Sequence, residues 1–391
     1  MRMEGLRRKT TLGDFFGGID HLSMITAIIS SLYGFILVYS AFYRTLDKTD
    51  ILSSSVKKMM VTVLAAAIGI AVAMILSMIN YEVISKLWPI IAAACVGMMI
   101  VTYFFGTAPS NRPDARCWLD FGFFTIQTSE FMKVGFIISF SYHLDLVKDN
   151  INRLKTIIPL VIHGLIPIAL VLITGDAGSA LIFMIMFIGM LYAAKINIGY
   201  FIAGICAIVV AFIAAWRFNI IDGLQRSRII ALFYPELYPD IMYQQNNGKI
   251  ALGGGGLFGQ GYLNGRLTQS GAVPVNESDM ILTVAGEEFG FVGAMAVILL
   301  LAVLIVRILF IGLKARDNVG YLMCMGVGVM LVSQLIVNVG MELSLLPCIG
   351  ITLPLYSSGG SSSLGIFLAL GIVFSVYRFS MNQKETLFYK Y

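Results

Sequence analysis

Residues 157–216 read IIPLVIHGLIPIALVLITGDAGSALIFMIMFIGMLYAAKINIGYFIAGICAIVVAFIAAW, with Asp176 and Lys195 as the only acidic or basic (Asp, Glu, Lys or Arg) side chains. An α-helix rises 1.5 Å per residue, so a run of about twenty apolar residues crosses a hydrocarbon layer of ~30 Å. The stretch divides at Asp176 and Lys195 into three such runs, 157–174, 178–194 and 197–216. Membrane β-barrel strands are about ten residues long and alternate apolar with polar. Nothing here alternates, so the spans are helices.

Working outward, further runs lie at 22–43, 59–80, 86–105, 129–147, 280–306, 319–342 and 360–378. The whole chain of 391 residues is 58% hydrophobic and 13% charged. Soluble domains are roughly half apolar and about a quarter charged. The expected fold is therefore an all-α integral membrane protein, one domain over 1–391, with ten transmembrane helices and a large extracytoplasmic loop, 217–279, between the seventh and eighth.

An even number of spans leaves both termini on one side. Arg2, Arg7, Arg8 and Lys9 precede the first span, and Lys148, Arg153, Lys155, Lys195, Lys314 and Arg316 fall in short loops on that side. The positive-inside bias thus predicts a cytoplasmic segment 1–20 and a cytoplasmic tail 379–391. Lys57, Lys58 and five basic residues in 217–278 lie opposite, but long loops cross largely regardless of charge. The first run is too long for a cleavable signal peptide and lacks a small-residue cleavage site, so it is expected to stay as a span. Cys95, Cys206 and Cys324 fall inside spans; Cys117 and Cys348 face outward without a spacing signature, and free thiols are expected. Three histidines without metal-ligand spacing argue against a zinc hydrolase.

Chemistry is expected in the three outward segments that interrupt the apolar pattern, 106–130, 217–279 and 343–363. The longest contains LFYPELYPDIMYQQNNGKIALGGGGLFGQGYLNG, whose aromatics and prolines predict a folded cap or interfacial helices. Its Gly254, Gly256 and Gly259 formally fit the dinucleotide-binding G-x-G-x-x-G. That fingerprint needs a preceding strand within a βαβ unit, which is lacking, so a tight turn with close backbone packing is the better reading and no organic cofactor is expected. No nucleic-acid partner is expected either. The segment PCIGITLPLYSSGGSSS mixes Pro, Gly and Ser at membrane depth, where irregular backbone survives only if buried in protein or lining a wet cavity.

The acids in or beside spans are the candidate site residues. Glu130 and Lys133 are three apart and share a helix face, which serves a structural pair as well as a substrate contact. Asp176, in the turn TGDAG, suits a helix cap. Asp279 sits at the mouth of the eighth span, near the membrane boundary; the plain alternative to catalysis is an acid placed at a helix amino terminus. Glu287 and Glu288 lie deeper and need partners, for which Lys133 or a loop arginine is expected.

These segments, in this order, resemble the SEDS family (shape, elongation, division and sporulation), in its RodA, FtsW and SpoVE branches and most of all RodA. The family's Q-P-S-E-x-x-K is matched by Gln127, Ser129, Glu130 and Lys133, and P-D-x-G-[TS] by Asp176, Gly178 and Ser179. G-G-x-x-G-x-G is matched by Gly255, Gly256, Gly259 and Gly261; T-D-F-I followed by E-E-x-G-x-x-G by Ser278, Asp279, Ile281, Glu287, Glu288, Gly290 and Gly293. L-P-x-x-S-x-G-G-S is matched by Leu353, Pro354, Ser357, Gly359, Gly360 and Ser361. Thr128 and Gly175 replace prolines, Ser358 replaces a tyrosine, and Cys117 stands where an arginine usually precedes the tryptophan, here Trp118. The resemblance covers about residues 20–380.

The resemblance implies a peptidoglycan glycosyltransferase of the bacterial cytoplasmic membrane that polymerises lipid II into lipid-linked glycan, together with a class B penicillin-binding protein. It raises Asp279 to the expected catalytic base, with Glu130, Lys133, Asp176, Glu287 and Glu288 in support. Arg116, Arg226, Arg228 and Lys249 are the outward cations expected to stabilise the pyrophosphate, with a divalent Mg or Mn ion as a candidate aid. A lipid II flippase or a non-catalytic scaffold for the crosslinking partner are the rival expectations. Internal repeats typical of transporters are not visible.

Overall fold

The computed structural model describes residues 18–46, 54–108, 115–221 and 223–388. Arg2, Arg7, Arg8 and Lys9, most of the 1–20 segment, Asp222 and the end of the 379–391 tail lie outside them.

Every apolar run read from the sequence is a helix: α1 (His21–Leu46) and α2 (Ser54–Leu76), then a short α3 (Tyr81–Lys86) that Asn80 caps and that precedes α4 (Trp88–Phe105). Next come α5 (Thr128–Leu146), α6 (Leu154–Ile173), α7 (Ala177–Ala193) and α8 (Ile198–Arg217). Within segment 217–279 lie α9 (Gly223–Phe233), α10 (Pro239–Gly254) and α11 (Arg266–Ser270), followed by α12 (Ile281–Leu313), α13 (Asn318–Glu342) and α14 (Gly360–Phe388). Among the described residues, eight helices are long and apolar enough to cross a membrane. Of the other expected spans, α7 has only 17 residues, and α5 carries Glu130, Lys133 and Asp145. The chain is a multi-pass membrane protein.

Burial grades these helices from centre to rim: 78% of the most apolar window of α14 is buried, 67% of that of α13, and none of that of α8. Small residues let the central helices approach, as they do where lipid gives no hydrophobic drive for helix association. A Cβ on Gly371 of α14 would stand 2.9 Å from the Ala73 Cα of α2. Helix α8 buries no residue at all.

Three features of the fold bear on the site, the last two of them not read from the sequence. Segment 217–279 is a folded cap, as its aromatics and prolines predict, containing α9, α10 and α11, with α10 packed on α12. Segment 106–130 holds a β-hairpin, β1 (Trp118–Asp120) and β2 (Thr125–Gln127), with Trp118 opposite Gln127. It is the exception to an otherwise helical architecture. The eighth span is broken: Gly290 has φ 70° and ψ −166°, so α12 is two helical pieces. The break exists because the glycine run of the cap inserts there. Gln260 and Gly261 donate backbone N–H bonds to the Glu287 and Glu288 carbonyls (2.9 and 3.1 Å), and Phe291 donates to the Gly256 carbonyl (2.8 Å). A Cβ on Gly255 would lie 1.9 Å from the Gly286 oxygen, and one on Gly259 2.1 Å from the Glu288 oxygen. Close backbone approach, not a phosphate, accounts for these glycines.

Candidate active site

Asp279 lies half-buried on a tight turn just before α12. Val275 takes a left-handed φ of 55°, and the Ser278 and Met280 N–H groups both return to its carbonyl (3.2 and 3.4 Å). Neighbours from far along the chain fix the turn. Asn338 Nδ2 on α13 donates to the Asp279 carbonyl and to the Ile351 carbonyl, each at 2.8 Å. Ser357 Oγ donates to the Ser278 carbonyl, and the Ser358 N–H donates to the Glu277 carbonyl at 2.7 Å. Ser278 Oγ donates to Asp279 Oδ1 at 3.2 Å. Helix α12 begins after Met280, whose side chain makes no cap. The Leu282 N–H donates instead to Glu342 Oε1 of α13 at 3.1 Å.

Below this turn, Lys133 Nζ and Glu130 Oε2 pair at 2.8 Å, both side chains less than a tenth exposed. The i,i+3 spacing that suggested the pair is realised on α5. Asp176 caps α7 by accepting from the Ser179 N–H at 3.0 Å, and its other oxygen accepts from Gln127 Nε2 at 2.8 Å. The start of α14 ties these parts to the Asp279 turn. Ser361 Oγ accepts from the Gln127 N–H at 3.0 Å, and a Cβ on Gly365 would stand 3.2 Å from the Glu130 carbonyl oxygen. Segment 343–359 is irregular as expected, with left-handed Ser344, Gly350 and Leu355.

Glu287 and Glu288 are both 1% exposed, but their partners are not the expected cations. Glu287 accepts from the Leu267 and Thr268 N–H groups at the start of α11, each at 2.7 Å. Glu288 accepts from Ser40 Oγ (2.6 Å), Gln269 Nε2 (3.0 Å) and the Leu263 N–H (3.2 Å). A helix start offers unsatisfied N–H donors aligned with its dipole, so it holds a buried carboxylate without a counter-charge. Nearby, burial and then Glu288 raise the Tyr262 phenol above its ordinary value, keeping it a donor, here to the Ile36 carbonyl at 3.4 Å.

The four basic residues expected at the pyrophosphate sit on three separate segments. Arg226 stacks on Trp216 (4.8 Å to the ring centroid) and donates to Asn219 Oδ1 at 2.6 Å. Arg116 and Lys249 are exposed, and Arg228 is half-buried on α9. A cation that does meet the Asp279 turn is Lys58, half-exposed at the start of α2 and paired with Glu277 at 3.1 Å. Sequence reasoning used Lys58 only for topology, and it passed over Glu342, Asn338 and the Ser357 hydroxyl contact. Only their polarity at membrane depth could have flagged them.

The sequence model of the family described as cell cycle protein, covering FtsW, RodA and SpoVE, matches residues 20–382. The peptidoglycan glycosyltransferase MrdB of Escherichia coli K12 is 28% identical over 315 residues, 80% of this chain and 83% of that protein. A probable peptidoglycan glycosyltransferase FtsW of Trichlorobacter lovleyi is 28% identical over 378 residues, 96% of each chain. The fold matches a chain in the solved structure of a peptidoglycan synthase complex that coordinates polymerization and crosslinking. The TM-score is 0.77 at 21% identity, covering 93% of this chain and 98% of the other.

Proposed function

Because the chain belongs to the FtsW, RodA and SpoVE family of cell cycle proteins, we propose that it is a peptidoglycan glycosyltransferase with Asp279 as its catalytic base. The observation that carries the residue assignment is the Asp279 turn itself: a half-buried carboxylate on a turn held by α13 and by Ser357. The enzyme sits in the cytoplasmic membrane with both termini inside and the cap outside, following the charge bias of the loops. Its substrate is lipid II.

Asp279 removes the proton from the acceptor sugar hydroxyl while that oxygen attacks the anomeric carbon of the lipid-linked donor. The new C–O bond forms as the bond to pyrophosphate breaks, and undecaprenyl pyrophosphate departs with the electron pair. A pyrophosphate needs no proton to leave, so a second carboxylate acting as general acid is unnecessary. Its charge does need stabilising, and Lys58 joins Arg116, Arg226, Arg228 and Lys249 as a candidate. A single displacement inverts the anomeric centre. Glu130–Lys133, Asp176, Glu287 and Glu288 hold the walls on which the turn is mounted.

Among the described residues no group of three or more His, Cys, Asp or Glu side chains could hold a metal ion. Mg or Mn would be held mainly by the pyrophosphate of the substrate with one or two carboxylates, and would help to stabilise the leaving charge. A class B penicillin-binding protein is the proposed partner, a reading supported by the fold shared with the synthase complex. The test is a purified-protein assay with labelled lipid II, resolved as glycan ladders. Ladders that need the membrane chain support the enzyme; transfer of lipid II between leaflets without ladders, or ladders only from an added polymerase, would replace it with the flippase or the scaffold.

A further inference from the structure

Glu342 ends α13 with its side chain wholly buried, and no ion pair involves it among the described residues. A carboxylate in such a place needs donors. It takes them from the helix that begins beside Asp279: Oε1 accepts from the Leu282 N–H at 3.1 Å and Oε2 from Thr283 Oγ1 at 2.8 Å. Both donors lie in the first turn of α12, whose N–H groups have no partner within the helix. Glu342 therefore caps α12 from another helix. One turn earlier on the same face of α13, Asn338 holds the Asp279 carbonyl at 2.8 Å. Asn338 and Glu342 together grip the chain on either side of the Asp279–Ile281 corner.

The end of α13 is itself fixed from the cap. Gln245 Nε2 of α10 donates to the Met341 and Leu346 carbonyls at 2.7 and 2.9 Å, closing the backbone on both sides of Glu342. A Cβ on Gly248, also on α10, would lie 2.5 Å from Met280 Cε. The corner thus has no slack towards the cap.

We propose that Glu342 is a positioning residue for the transfer reaction: by capping α12 from α13 it fixes the turn that presents Asp279 to the acceptor hydroxyl. The role rests on the reading of Asp279 as the base. A base displaced by about 1 Å costs on the order of 10²-fold in rate while leaving substrate binding elsewhere intact. The loss therefore belongs in kcat.

The test compares Glu342→Ala, Glu342→Gln, Asp279→Asn and the double variant Glu342→Ala/Asp279→Asn in the full chain with its partner. Glycan polymerisation is measured against lipid II concentration, with thermal unfolding and partner co-purification alongside. Glutamine keeps the geometry, because its amide oxygen accepts from the Leu282 N–H and its amide nitrogen can donate to Thr283 Oγ1. Glu342→Ala should lower kcat about 10²-fold with KM within about threefold. Glu342→Gln should stay within about threefold of wild type, and the double variant should be no worse than Asp279→Asn alone. A wild-type kcat in folded Glu342→Ala, a Glu342→Gln as impaired as Glu342→Ala, or a loss that merely follows the unfolded fraction overturns the positioning role. Full activity in Asp279→Asn with a slow Glu342→Ala would instead overturn the base assignment on which it rests.

Discussion

Glu130 and Glu288 are glutamates buried in the same bundle, and the protein neutralises them in opposite ways. Glu130 has a cation three residues along its own helix, at 2.8 Å. Glu288 has none among the described residues; a serine from α1, a glutamine from α11 and a backbone N–H from the cap surround it. A buried charge needs partners, but neutral donors suffice when enough of them converge. The first solution is local and tolerates any neighbouring fold. The second exists only when the cap has folded against α12, so it couples the carboxylate to the assembly of the site.

Removing the cation should give the largest effect. Lys133→Ala leaves Glu130 buried and alone, which typically costs about 3–5 kcal/mol. Thermal unfolding in detergent should show it, and Glu130→Leu/Lys133→Met should recover part of the loss because it buries no charge. A double variant as unstable as the single would mean the pair does more than neutralise itself. Next comes the frame that brings donors to Glu287 and Glu288. Gly290→Ala puts a side chain at φ 70° with its Cβ 2.3 Å from the Gly259 nitrogen. Strain and overpacking together should cost about 2–4 kcal/mol. Limited proteolysis should cut the cap between 217 and 279 faster in this variant than in Lys133→Ala. Equal rates would break the proposed contrast between local and assembled neutralisation.

That contrast also marks what the sequence made legible. The spans, the Glu130–Lys133 pair and the Asp176 cap depend on neighbours within a few residues, and periodicity or spacing reveals such neighbours. The glycine run was legible as close backbone packing because only glycine permits it. Its target was not: Gly290 looks like an ordinary residue of a long apolar run until the cap strand is seen hydrogen-bonded across it. Lys133 and the loop arginines were the natural partners for Glu287 and Glu288 because charge is visible in a sequence, whereas the N–H groups of Leu267 and Thr268 are visible only in a fold. Lys58 meets Glu277 across 219 positions, and Ser358 meets the same residue through its backbone. Neither has a local signature.

A smaller effect is expected for Glu288→Gln, about 1–2 kcal/mol, since the amide keeps one acceptor and loses the charge-assisted bonds. Smaller still, at the end of the bundle opposite the cap, Arg307 donates to Asp20 at 2.6 Å and Ser23 Oγ at the same distance. Burial alone would raise the Asp20 carboxyl, but the bonds from Arg307 and Ser23 outweigh it and hold it below the ordinary carboxylate range. A lowered carboxyl stabilises the fold above the unfolded value of about 4 and loses that contribution as pH falls through the folded value. Wild type should therefore be more stable than Asp20→Asn by about 1 kcal/mol at neutral pH. The gap should close on acidification; a constant gap down to pH about 3 would remove ionisation from the account.

The most direct measurement is the polymerisation rate of Asp279→Asn at subsaturating lipid II, in protein checked for folding and partner binding. Asparagine keeps the shape of the side chain but cannot take the acceptor proton, and loss of a general base costs about 10² to 10⁴ in rate. The account predicts normal expression, normal stability, bound lipid II and almost no glycan. A variant that polymerises near the wild-type rate would contradict it and return Asp279 to an ordinary residue of a well-held turn.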